Sequence, residues 1–110
     1  METYSFDGKH VLVTGATGGI GEATVRRFLA EDARVMAVGR SADKLAALAE
    51  RVGENEAFAT FSVDATDEAG VKASVNATRE RFGGLDVVFA NAGTEGAAKP
   101  LELLTAEEFR

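Results

Sequence analysis

Apolar residues along this chain fall into two rhythms. Short continuous runs, Val11-Leu12-Val13 the first, alternate with longer stretches whose apolar positions recur at helical spacing. The runs suit strands covered on both faces, and the spaced stretches suit helices with one buried face. The rhythm predicts a first strand from about His10 to Thr14 and a helix from about Gly19 to Glu31, with Ile20, Ala23, Phe28 and Leu29 inward. A second strand, Arg34 to Gly39, precedes a helix from about Ser41 in which Leu45, Leu48, Ala49 and Val52 share one face and Gly53 is the stop. A third strand, about Ala57 to Val63, carries Phe58, Phe61 and Val63. Thr66 is the expected cap of a third helix, with Asp67 and Glu68 in its first turn and Val71, Val75, Thr78 and Phe82 buried; Gly83-Gly84 ends it. The fourth strand, Leu85 to Ala90, is the most apolar.

Strand and helix in strict alternation signal β-α-β units and a parallel sheet. The expected fold is a single doubly wound α/β domain over residues 1–110, Rossmann-like, with four parallel strands in the order 3-2-1-4. The first two helices belong on one face and the third on the other. After Asn91-Ala92-Gly93 comes a loop holding the only proline, Pro100. Thr105-Ala-Glu-Glu108 then reads as a capping box, with Leu104 and Phe109 at the staple positions, so a helix should begin where the chain reaches Arg110. One turn cannot hold itself. The expectation is a longer protein truncated after its fourth strand. That strand would be left with an uncovered edge, and the chain should form a homo-oligomer.

Composition acts by exclusion. A formal net charge of −6 over 110 residues argues against nucleic-acid or acidic-membrane partners. No run is long enough to span a membrane, and the first ten residues lack a signal peptide's apolar stretch, so the cytoplasm is the expected location. There is no cysteine, hence no thiol nucleophile. The single histidine, His10, opens the first strand, where a structural role is expected and neither a metal ligand nor a base.

The chemistry concentrates in Thr14-Gly15-Ala16-Thr17-Gly18-Gly19-Ile20-Gly21. Gly15 lets the chain leave a strand in a tight turn, and Gly19 and Gly21 permit close approach to the backbone. The helix that follows offers unpaired N–H groups and a partial positive charge, which suits a pyrophosphate. The spacing is not Gly-x-Gly-x-x-Gly, because Thr17 and Thr24 interrupt it, and no Walker lysine follows.

Three further features lie at the carboxyl ends of strands, where open parallel sheets bind ligands: Gly39-Arg40, Asp64 and Asn91-Ala92-Gly93. With the glycine turn they make residues 8–110 resemble the N-terminal half of a short-chain dehydrogenase/reductase, a family using nicotinamide cofactors. The resemblance implies that Gly15, Gly19 and Gly21 form the pyrophosphate turn, lined by Thr17, Gly18 and Ile20. It implies that Asp64 meets the adenine amino group beside Ala65, and that Asn91, Ala92 and Gly93 pack next to the cofactor. An acid at the end of the second strand would favour NAD; Gly39 and Arg40 stand there instead, which points to NADP, with NAD as the alternative. Gly18 occupies the family's second basic position and pulls the other way. The family's catalytic serine, tyrosine and lysine have no counterpart: the only tyrosine is Tyr4, before the first strand. The chain therefore reads as the cofactor-binding portion of an alcohol/carbonyl oxidoreductase, inactive alone. The alternatives are a stand-alone or engineered dinucleotide-binding module and a non-catalytic self-associating piece.

Overall fold

A computed structural model describes residues 6–65, 67–91 and 100–105. Along the chain run β1 (His10–Thr14), α1 (Gly19–Ala30), β2 (Arg34–Gly39), α2 (Ala42–Val52), β3 (Phe58–Ser62), α3 (Glu68–Phe82), β4 (Val87–Asn91) and β5 (Pro100–Thr105). β1 pairs in parallel with both β2 and β4, and β2 with β3, so the first four strands take the expected order 3-2-1-4.

The sheet does not stop at β4. β5 lies antiparallel on its outer edge, with Thr105 opposite Val87 and Leu103 opposite Phe89. The parallel part of the sheet ends at the fourth strand, as expected, while the β4 edge, expected to be uncovered, carries β5. Thr105, expected to cap a helix, closes a strand instead. A row of unpaired backbone groups on β4 is a strong template for the returning chain, whereas a helix start gains nothing until more turns follow it. Glu108 and Phe109 lie outside the described residues.

The two-residue period of each strand builds two cores. Val11, Val13, Val35 and Ala37 meet Val25 and Phe28 of α1 and Leu45 and Leu48 of α2. The alternate residues Leu12, Met36, Val38 and Val88 meet Val75 and Phe82 of α3. Each large aliphatic side chain so buried contributes about 1.5–3 kcal/mol. The third helix thus stands on the face opposite the first two, as the pattern predicts.

Of the residues expected inward on α1, Phe28 is buried and Leu29 packs against the core, but Gly21 and Val25 complete the buried stripe in place of Ile20 and Ala23. Ile20 is 40% exposed, and Ala23 faces solvent. A rotation of about 100° per residue makes neighbouring positions different faces, and packing, not side-chain size, decides which one is covered. Ser41 caps α2 through Lys44 N–H at 3.2 Å, and Gly53 ends it. Asp67, expected in the first turn of α3, is its cap: Oδ1 accepts the Gly70 amide at 2.7 Å. Thr66, the expected cap, lies outside the described residues. His10 is structural, as expected: its amide donates to Asp86 Oδ2 at 2.8 Å, Nδ1 lies 3.3 Å from the same oxygen, and its ring stacks on Phe82. Among the described residues no helix is long and apolar enough to cross a membrane.

Candidate functional site

Parallel strands in register bring their carboxyl ends to one edge of the sheet. Thr14 stands opposite Val38, Gly39 opposite Ser62, and Val13 opposite Phe89. The carboxyl ends of β1, β2, β3 and β4 therefore lie on the same side; the glycine turn, Arg40 and Asp64 follow the first three, and Asn91 ends the fourth.

Gly15 leaves β1 with φ 63°, and Ala16, fully buried, donates its amide to Val38 O at 3.1 Å. The turn is thereby tied to the end of β2. Gly18 donates to Gly15 O at 3.4 Å and is the N-cap of α1, but it supplies no side-chain cap. The first helical bond runs from Glu22 N to Gly18 O at 2.8 Å, so the amides of residues 19–21 precede the ladder.

The glycines of this turn are not equivalent. A Cβ on Gly21 would run into the Gly15 carbonyl and the Ala16 backbone, so close packing of helix on strand demands glycine there. A Cβ on Gly19 would meet nothing within 4 Å. Gly18, Gly19 and Ile20 are exposed, and Thr17 is half-buried. The surface at the start of α1 is thus an open backbone cradle with the positive end of a helix behind it. Those properties fit an anionic pyrophosphate. The acid of this first turn, Glu22, is held by Arg51 at 2.8 Å and Arg26 at 3.1 Å, and its carboxyl lies below the ordinary range chiefly through the Arg51 hydrogen bond. Its charge is compensated before it can oppose an anion.

At the end of β2, Gly39 is buried, and a Cβ there would come within 3.3 Å of the Thr17 methyl group. Arg40 is exposed. Its carbonyl accepts Ser62 Oγ at 3.2 Å, and Gly39 O accepts Val63 N at 2.9 Å. The backbone beneath the guanidinium is consequently fixed while its side chain is free to reach outward. Asp64 is exposed and Ala65 half-buried, two and three residues beyond β3. Asn91 closes β4; Ala92, Gly93 and Tyr4 lie outside the described residues.

Sequence reasoning missed two contributors, Ser62, which flanks the β2 loop and belongs to no expected set, and Gly70. Gly70 was read only as part of a helix, yet an isolated glycine inside a helical pattern is itself a signal of close backbone approach.

Comparison with known proteins agrees with this arrangement. The chain is 43% identical over 111 residues to the levodione reductase of Leifsonia aquatica, covering 97% of this chain and 41% of that protein. It superposes with a TM-score of 0.68 and 34% identity on a 3-ketoacyl-(acyl-carrier-protein) reductase from Brucella melitensis complexed with NADH, over 76% of this chain and 34% of that one. The N-domain of a bacterial malonyl-CoA reductase with NADP gives 0.67 and 33%, over 76% of this chain and 16% of that one. A family model described as short chain dehydrogenase matches residues 9–110. On that match, and on a glycine turn and sheet of the kind just described, the chain belongs to the short-chain dehydrogenase family.

Proposed function

We propose that this chain binds a nicotinamide dinucleotide, NADP in preference to NAD, as the cofactor-holding portion of an alcohol/carbonyl oxidoreductase. The observation that carries the reading is the uncapped start of α1, open at Gly19 and locked against β1 at Gly21. When bound, the nicotinamide supplies or accepts the hydride. The residues of this chain hold and orient it. Gly15, Thr17, Gly18, Gly19, Ile20 and Gly21 would cradle the pyrophosphate on backbone amides. Asp64, with Ala65 beside it, would accept the adenine amino group, and Asn91, Ala92 and Gly93 would lie next to the cofactor. Arg40, on its pinned backbone, would contact the 2′-phosphate. A proton donor near a carbonyl oxygen is needed for turnover, and the sequence offers no tyrosine but Tyr4. Binding without turnover is therefore the expected behaviour of this chain by itself, and the substrate class of the proposed oxidoreductase is a carbonyl or alcohol.

Isothermal calorimetry with NADP and NAD tests the reading, with Gly19→Glu as control. Saturable binding that the carboxylate at position 19 abolishes is the expected result. Absence of binding to the folded chain, or binding indifferent to Gly19→Glu, overturns it.

A further inference from the structure

Gly70, in the first turn of α3, is in contact with the loop after β3. A Cβ built there would overlap the carbonyl group of Asp64 and lie 3.2 Å from the Ala65 Cα. All of these neighbours are backbone, so no flexible side chain can swing aside.

Neither partner is free to retreat. α3 is anchored by Val75 and Phe82 in the core and by two fully buried hydroxyl residues on the line of Gly70, Ser74 and Thr78. Ser74 Oγ donates to Gly70 O and Thr78 Oγ1 to Ser74 O, each at 2.8 Å. The polar atoms on this line are thus satisfied within the helix, and its small side chains let α3 lie close to the sheet. On the other side, the start of the loop is tied to β2 by Val63 N to Gly39 O. Asp67 then holds the helix start by accepting the Gly70 amide.

We infer that Gly70 is a positioning residue for the adenine end of the cofactor: by letting α3 seat directly on the Asp64 carbonyl, it sets where the Asp64 carboxylate stands. The inference rests on the reading of Asp64 as acceptor of the adenine amino group. Any side chain at position 70 must push the loop away or lift the first turn of α3, and either movement displaces the carboxylate by a distance a hydrogen bond does not tolerate.

The test compares NADP with its hypoxanthine counterpart, in which a 6-oxo group replaces the adenine amino group. The wild-type chain should bind NADP about tenfold tighter, the size of one hydrogen bond to an ionised group. Gly70→Ala should remove most of that preference while affinity for the hypoxanthine form changes little. Asp67→Ala, which loosens the same turn without adding bulk, should reduce the preference in part, and it decides the matter where Gly70→Ala fails to fold by circular dichroism. Val25→Ala, a core truncation remote from the loop, controls for instability alone and should leave the preference intact. A wild-type chain that binds both dinucleotides equally removes the Asp64 reading and the inference with it. A wild-type preference that survives in folded Gly70→Ala, or in Asp67→Ala where the first variant is unfolded, overturns the role of Gly70 alone.

Discussion

Gly21 rests its bare Cα side against the carbonyl of Gly15, the contact that seats the start of α1 on the end of β1. Two residues earlier, Gly19 points the same missing side chain into open space. One glycine is needed to build the turn, and the other leaves it open to a ligand. The two substitutions should therefore separate. Gly21→Ala should cost about 1–3 kcal/mol as an overpacked contact and abolish dinucleotide binding. Gly19→Ala should leave stability unchanged or raise it by up to about 1 kcal/mol, since alanine is the better helix former. Urea unfolding measures both, and equal losses in the two variants would contradict the assignment.

Arg40→Ala should weaken NADP by about tenfold or more and leave NAD nearly unchanged, because a charge-assisted contact to phosphate is worth about 1.5–3 kcal/mol. Ser62→Ala should have a smaller effect of the same kind, through the lost hydrogen bond to the Arg40 carbonyl. Calorimetry showing the same loss for both cofactors would remove Arg40 from the 2′-phosphate.

Glu22 joins α1 to α2 through Arg51 and carries a carboxyl below its usual 4.5, chiefly through that hydrogen bond. A carboxyl lower in the folded than in the unfolded state stabilises at pH above its unfolded value, and loses that contribution as pH falls through the folded one. Arg51→Ala should accordingly lower the melting temperature at pH 7 and make little difference near pH 3. Thermal scans across that range check it; a gap that stays constant with pH would assign the effect of Arg51 to packing.

With β5 seated on it, β4 is an interior strand. Removing residues 100–110 should return it to an edge carrying Val87 and Val88, and the shortened chain should associate. Light scattering at matched concentration should show a larger mass for the shortened chain than for the full one. Equal masses would mean that the β4 edge does not drive assembly.

The sequence by itself determined the order of elements from β1 to β4, the two-faced burial of the strands and the place of the glycine turn. Each of these rests on local periodicity or on residues adjacent in the chain: Val11 and Val13 against Leu12, or Gly15 through Gly21 at one strand end. Resemblance supplied the functional names for Arg40 and Asp64, which spacing alone would leave as a solvated arginine and a loop acid. Tertiary structure decided what depends on neighbours distant in sequence. Which side of α1 is covered, Val25 and not Ala23, follows from how the helix lies on the sheet. Thr105 ends a strand because β4 presents it with an unpaired ladder, a partner that no local capping pattern can register. Gly70 touches Asp64 only because α3 seats on the sheet, a depth fixed by the packing of Ser74, Val75, Thr78 and Phe82. Backbone contacts of that kind leave nothing in the sequence but a glycine where a helix would prefer alanine.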